Sequence, residues 1–332
     1  MKIIVPMAGM GKRMRPHTLT VPKPLIPIAG KPIVKHLIED IARVCDETIE
    51  EVNFIIGNFG EEVEESLKQI AESVGAKGII SYQHEPLGTA DAILCARQSL
   101  KGNVIVAFAD TLFKADFNLD KSKDGIIWVH RIQDPSAFGV VKLDAYGTII
   151  DFVEKPKTFV SDLAIIGIYY FKDGEVLEKE LQYLIDNKVI KGGEYQLTDA
   201  LVNMKNKGMM LSIGKVEEWL DCGNKNATVY TNQRVLANAT TELVSTTYTN
   251  ENSVIIHPCY IGEGVSIINS VIGPYTSIGD NSIIDHSIIS NSIIQNHSRI
   301  TNSNITNTMI GNYVEFEGDV RELNIGDYST LN

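Results

Sequence analysis

The residues best placed to do chemistry come early in the chain. Ile3–Met7 reads as a strand, and Ala8-Gly9-Met10-Gly11-Lys12-Arg13-Met14-Arg15-Pro16 as the turn beyond it. Glycine turns after a first strand often hold phosphate groups against backbone N–H groups. Two common versions are excluded. A G-x-G-x-x-G dinucleotide loop needs glycine where Met14 stands, and a P-loop needs Gly-Lys-Ser/Thr after four spacers, a run this sequence lacks. What remains is G-x-G-x-R with Lys12, Arg15 and Lys23 close by, a pattern that by itself fits a tight turn as well as an anion site. Farther on, the apolar run Val104–Ala109 ends in Asp110, and Glu154-Lys155-Pro156 follows the strand Ile149–Val153. Gln83 carries an amide that can donate and accept together, which suits the imide edge of uracil or thymine. The seven histidines form no Ser–His or Cys–His pattern for nucleophilic catalysis.

These residues need a scaffold that gathers loops. Pro32–Cys45 reads as a helix, with Ile33, Leu37, Ile41 and Val44 at helical spacing. Glu51–Ile56 reads as a strand and Glu61–Val74 as a helix, and Gly78–Tyr82, Ala90–Ser99 and Val104–Ala109 repeat the alternation. This βαβα order predicts an α/β, Rossmann-like, mostly parallel sheet with helices on both faces. Ligands of such sheets sit beyond the carboxyl ends of the strands, where the motif-bearing loops fall.

From Asn252 onward isoleucine recurs every five or six residues, from Ile255 through Ile310, with Gly, Asn, Asp and Ser between. A short fixed period predicts a repeat architecture, each Ile pointing inward and stacking on the Ile one coil below. The pattern resembles the hexapeptide repeat of left-handed parallel β-helices and implies three to four coils of about 18 residues. The expected domains are 1–223, a helical connector at 224–250 and a β-helix at 251–332.

The net charge of −12 argues against a nucleic-acid partner. Residues 241–332 carry −8 of it, so an anionic ligand would be held by a local cation cluster in the N-terminal part. No run approaches the roughly 20 apolar residues of a membrane helix, and the N-terminus lacks a signal-peptide pattern. The expected location is cytoplasmic, with no membrane partner and the four cysteines as buried free thiols.

Residues 8–27 resemble the signature of the sugar nucleotidyltransferases, the nucleotide-sugar pyrophosphorylases: A-G-x-G-x-R, then Pro16 and Thr18, then P-K-P-L-x-P. The resemblance spans nearly the whole chain and is nearest to the long-form glucose-1-phosphate thymidylyltransferases that carry a β-helix tail. It implies transfer of a nucleotidyl group from an NTP, dTTP or UTP favoured, to a sugar-1-phosphate, glucose-1-phosphate favoured, with release of pyrophosphate. Mannose-1-phosphate guanylyltransferase is the outer alternative.

The resemblance also implies roles. Ala8, Gly9 and Gly11 would hold the triphosphate, with Arg13 and Lys23 as the catalytic cations. Gln83, Pro86 and Gly88, within Gln83-His84-Glu85-Pro86-Leu87-Gly88-Thr89-Ala90, would form the base-reading segment. Gly139, Glu154, Lys155 and Gly167 would take the sugar phosphate. Asp110 and Asp221 would be ligands of Mg²⁺, which uses one or two carboxylates plus phosphate oxygens. Ala109, Thr111 and Cys222 depart from the family's Gly-Asp-Asn and W-x-D-T-G motifs. Glu194–Asp199 matches E-x-x-x-T-D and reads as a helix start with Thr198 as cap. The attacking phosphate is already ionised, so no general base is required. Catalysis would rest on positioning and charge stabilisation.

Two further classes compete. Left-handed β-helices often serve acyl transfer, and His257, His286 and His297 lie in the repeats. The prism is short for that role and suits oligomerisation, so a homo-oligomer, dimer or tetramer, is expected. A non-catalytic regulatory subunit would have lost Arg13, Lys23, Asp110, Lys155 and Asp221, all of which are present.

Overall fold

The computed structural model describes residues 1–45, 47–115 and 119–319. The last thirteen positions of the expected 251–332 domain lie outside the described residues. The chain forms two compact units, one of Met1–Ile26 with Pro32–Gly223, the other of Pro27–Lys31 with the chain from Asn224 onward.

The first unit is built on a mixed sheet. Lys2–Pro6 lies at its centre, paired in parallel with Glu51–Ile56 on one side and Val104–Ala107 on the other. Lys77–Tyr82 adds a fourth parallel strand beside Glu51–Ile56. Lys2–Pro6 and Val104–Ala107 are near-continuous apolar runs because helices cover both faces of a parallel sheet, whereas Lys77–Tyr82 is partly exposed. Ile3, Ile4, Val5, Phe54 and Val106 are fully buried. Beyond Val104–Ala107 the direction reverses. Leu163–Phe171 pairs antiparallel with it and also with Gly125–Arg131 and Gly139–Leu143. Ile149–Glu154 closes this side as a hairpin on Gly139–Leu143.

The helix Ile33–Val44 buries Ile33, Val34, Leu37, Ile38 and Ile41, the stripe expected from its spacing. A helix does start within 194–199, at Leu197, and runs Leu197–Asn206 after a short bridge between Lys191 and Glu194. Two sequence expectations are corrected. Gln196, not Thr198, holds the cap position. Thr198 therefore lies inside the helix, where its hydroxyl donates to Glu154 at 3.4 Å instead of capping. All four cysteines are free, but only Cys222 and Cys259 are buried.

The second unit is a prism of three parallel sheets, consistent with a left-handed β-helix. Its core is the expected isoleucine set. Ile261, Ile278, Ile294 and Ile310 stack in one column, and Ile267, Ile284 and Ile300 in another. The coils are shorter than hexapeptide arithmetic implies. Ser266 pairs with Thr249 and with Ile283, steps of 17, whereas Ile283 pairs with Arg299, a step of 16. The lost residue falls at a corner, where Ser290–Ser292 replaces the longer Gly273–Thr276. Left-handed backbone at Asn252, Asn269, His286 and Asn302 turns another corner, and asparagine tolerates that conformation better than most residues.

A serine column runs along the same edge. Ser253, Ser270 and Ser287 each accept from the backbone N–H of the next serine, at 2.9, 3.0 and 3.1 Å. The first prism strand, Leu243–Val244, lies before the expected boundary at 251, and the second, Thr249–Glu251, straddles it. The connector is thus essentially the helix Lys225–Asn238. That helix covers one sheet face through Asn232, whose Oδ1 accepts from Ser277 at 2.7 Å and from Ala29 N–H at 3.0 Å.

Ile284 is fully buried at the middle of its column, whereas Ile288 points outward and is 51% exposed. Ile284→Ala is expected to cost about 3 kcal/mol and Ile288→Ala less than about 0.5 kcal/mol. Urea unfolding followed on the β-helix signal checks the pair. Equal midpoints for the two variants would contradict the inward stacking.

Candidate active site

The carboxyl ends of Lys2–Pro6, Lys77–Tyr82 and Val104–Ala107 open on a cavity of about 430 Å³. Its wall includes Ala8, Gly9, Gly11, Arg13, Lys23, Gln83, Pro86, Gly88 and Asp110. Four elements supply them: the loop after Lys2–Pro6, the Lys23-Pro24 turn, the loop after Lys77–Tyr82, and the end of Val104–Ala107. Lys12, Thr89, Phe108 and Glu194 line it too and were given no site role by the sequence reading.

The glycine loop is held by its neighbours. Gly11 has a left-handed backbone (φ 56°), and a Cβ there would come within 3.0 Å of Lys23 Cβ and Thr18 Cγ2. The Thr18 hydroxyl donates to Gly11 O at 2.9 Å. Met14, fully buried, anchors the short 3₁₀ turn Lys12–Met14 in the core, leaving Arg13 directed outward. Lys23 is 8% exposed, and its ammonium donates to Asp110 Oδ2 at 2.8 Å. A lysine buried to that degree needs a carboxylate partner.

Asp110 and Asp221 are neighbours although 111 positions apart. The strands Thr111–Lys114 and Glu218–Asp221 pair antiparallel with Asp221 opposite Thr111, and Cys222 N–H donates to Asp110 O at 2.9 Å. The backbone thus makes this contact at the variant position 222. Asp221 Oδ1 accepts from Gly223 N–H at 3.0 Å. A Cβ on Gly223 would lie 2.8 Å from Asp221 Oδ2 and 3.2 Å from an Arg13 guanidinium nitrogen, so carboxylate and guanidinium flank the same glycine. Burial, and then the Asp110 carboxylate, raise the Asp221 pKa above the usual carboxylate range.

Two carboxylates crowded in this way, beside room for phosphate oxygens, suit a divalent cation. No group of three or more His, Cys, Asp or Glu among the described residues could hold a metal ion by itself. A cation here would complete its shell with substrate oxygens and water. In metal-free buffer Asp221→Asn is therefore expected to raise the melting temperature by about 2 °C, since it removes a crowded charge and keeps an acceptor for Gly223 N–H. An unchanged or lower value would mean that the pair is not repulsive.

The Gln83–Gly88 loop is locked against Glu194–Leu197. Tyr195 N–H donates to Leu87 O at 2.8 Å, and Ala90 N–H to Tyr195 O at 3.0 Å. Leu197 N–H donates to the Thr89 hydroxyl at 2.9 Å. The Gln83 amide nitrogen donates to Gly88 O at 3.2 Å and to Asp91 Oδ2 at 2.8 Å. Both N–H bonds are thereby engaged. The donate-and-accept pairing expected of Gln83 is corrected to acceptance alone, through Oε1.

Gly139, Glu154, Lys155 and Gly167 do not line this cavity. They form an adjoining group. Gly139 pairs with Glu154 across the hairpin, and a Cβ on it would come 3.0 Å from Glu154 Oε2. Burial raises the Glu154 pKa above its usual range, and Lys155 Nζ lies 3.7 Å from its carboxylate. Gly167 accepts from Phe108 N–H at 2.9 Å and so reaches the cavity wall through Phe108. In the second unit His257 lies 3.5 Å from Glu242, His286 2.6 Å from Asp285, and the His297 ring stacks on Tyr313. No helix among the described residues is long and apolar enough to cross a membrane.

A family model described as Nucleotidyl transferase matches residues 2–238. The chain is 31% identical over 310 residues to "Glucose-1-phosphate thymidylyltransferase" of Streptomyces antibioticus, covering 85% of this chain and 83% of that one. It is 35% identical over 187 residues to "Mannose-1-phosphate guanylyltransferase catalytic subunit beta" of Drosophila pseudoobscura pseudoobscura, 54% of this chain and about half (49%) of the relative. Among solved structures, a putative glucose-1-phosphate thymidylyltransferase from Bacillus anthracis superposes with TM-score 0.61 at 23% identity, covering 72% of this chain and 96% of that one. A UDP-glucose pyrophosphorylase complexed with UDP-glucose gives TM-score 0.59 at 24% identity, covering 72% and 99%. At these identities the two structures speak to the fold alone.

Proposed function

The chain belongs to the nucleotidyl transferase family, and from that premise we propose that it joins dTTP or UTP to glucose-1-phosphate and releases pyrophosphate. Nucleotidyl transfer to a sugar phosphate is its reaction class, and a divalent metal ion is general to the family. The choice of base, sugar and Mg²⁺ is our reading. The observation that carries it is one cavity lined by a glycine loop, Arg13, Lys23, Asp110 and Gln83.

In this reading the backbone of Ala8–Gly11 receives the triphosphate, and Arg13 offsets its charge. Asp110 and Asp221 would hold Mg²⁺, which when bound would neutralise phosphate charge. Lys23 is kept in place by Asp110 and directed at the α-phosphate, where charge builds as the sugar phosphate attacks in line. Lys155 pairs with the sugar phosphate and Glu154 accepts from sugar hydroxyls. Gln83 Oε1 accepts the imide N–H of the base. Thymidylyl transfer is favoured because the Streptomyces antibioticus relative named for it aligns over most of both chains. The Drosophila relative makes GTP with mannose-1-phosphate the second reading.

The test is pyrophosphate release with Mg²⁺ across dTTP, UTP, GTP, ATP and CTP, each with glucose-, N-acetylglucosamine-, galactose- and mannose-1-phosphate. Release that needs both substrates, fastest with dTTP or UTP and glucose-1-phosphate, is the expected result. Fastest release with GTP and mannose-1-phosphate would replace the proposal with the second reading. No release from folded protein with any pair would overturn both.

A further inference from the structure

We infer that Asp91, which does not line the cavity, sets the nucleobase preference by fixing which end of the Gln83 amide faces the substrate. The inference rests on the base-reading role proposed for Gln83. Gln83 follows the strand Lys77–Tyr82, its backbone N–H tied to Ile56 O at 2.9 Å. Its side chain reaches two acceptors, Gly88 O and Asp91 Oδ2. A carbonyl and an ionised carboxylate can only accept, so the amide nitrogen must face both and the oxygen must face away. Asp91 belongs to the helix Thr89–Leu94, and the wall of the cavity passes through Gln83, Gly88, Thr89 and Ala92 without it. Its carboxylate is therefore a positioning group acting through Gln83.

A side chain that offers the base only an acceptor sorts nucleotides by chemistry. Uracil and thymine present a ring N–H on the pairing edge, as does guanine. Cytosine and adenine present a ring lone pair there. Lone pair against amide oxygen leaves both acceptors without a donor, so CTP and ATP are disfavoured. Without Asp91, Gly88 O alone holds the amide. The side chain can then rotate end for end, and its nitrogen can meet a cytosine lone pair. The discrimination lies in the orientation of one amide, and Asp91 sets it.

The experiment compares kcat/KM for UTP and CTP, with one sugar-1-phosphate, in the wild type, Asp91→Ala, Asp91→Asn and Gln83→Ala. Where GTP is the better donor, the comparison is GTP against ATP. Melting curves establish that each variant is folded. Asp91→Ala is expected to lower the UTP to CTP ratio at least tenfold, with kcat for UTP changed less than threefold. Asp91→Asn is expected to retain most of the ratio, because its Oδ1 can still accept from Gln83. A ratio within twofold of wild type in Asp91→Ala, with the ratio lost in Gln83→Ala, would overturn the role of Asp91 and leave the base-reading role standing. An unchanged ratio in Gln83→Ala would overturn both. A lower ratio in Asp91→Asn than in Asp91→Ala would also overturn the orientation argument.

Discussion

Asp110→Asn is expected to lower kcat at least about 100-fold while the protein stays folded, the scale on which single charge-stabilising groups act in preorganised sites. Asparagine keeps an oxygen to accept from Lys23, which now lies 2.8 Å from Asp110 Oδ2. The change thus removes charge and leaves the local packing in place. Two functions are lost together: one of two carboxylates able to hold a divalent cation, and the counter-charge that pairs with a nearly buried lysine and holds it in place. Raising Mg²⁺ should recover part of the activity, because Asp221 persists. Steady-state kinetics over a Mg²⁺ series, beside a melting curve, checks this. Near-normal turnover would show that the Lys23–Asp110 pair is structural.

Gly88→Ala is expected to lower kcat/KM for the nucleotide about 100-fold, the scale associated with a displacement of about 1 Å at a reacting site. Gly88 has φ +122°, and a Cβ there would lie 2.4 Å from Tyr195 O and 2.7 Å from Tyr195 N. Those are backbone atoms held by the Leu87 and Ala90 hydrogen bonds, so the loop itself must move. Gly88 O accepts from Gln83, and the shift would disturb that side chain, our proposed base reader, first. KM for the sugar phosphate should change by less than about threefold, since Glu154 and Lys155 sit on a different hairpin. If both substrates lost affinity equally, the loop would have to serve the whole site.

The residues of the glycine loop and of Gln83–Gly88 that line the cavity were legible because they are close together in sequence. Gly9, Gly11 and Arg13 fall within five positions, and Gln83 to Gly88 within six. Each group follows a strand whose apolar run is itself plain. Contacts made across long separations left no comparable trace. Thr89 and Leu197 meet over 108 positions, and Glu194, just ahead of the helix that starts at Leu197, also lines the cavity. The Gln83 orientation was not legible at all, because it depends on where the Asp91 carboxylate falls in three dimensions. In the prism the isoleucine period gave the stacking. It could not give coils of 17 and 16 residues, since the corner that loses a residue differs only in a short run of Ser and Asn. The antiparallel half of the sheet was invisible to an argument built on βαβα alternation.

The turn Pro27–Lys31 bears on how this molecule can be dissected. The polypeptide passes between the two units at Ile26–Pro27, at Lys31–Pro32 and at Gly223–Asn224. No single cleavage separates them. A fragment ending at Gly223 would still contain Ile28 and Ala29, both buried in the second unit, and Ala29 N–H would lose its acceptor on Asn232. This turn begins only four residues after Lys23. An inactive fragment would therefore not show that the β-helix takes part in the chemistry. Deletion would have removed the partners of the turn that follows Lys23, the cation we propose to act at the α-phosphate, and a fair excision must re-engineer residues 27–31 as well as the C-terminal boundary.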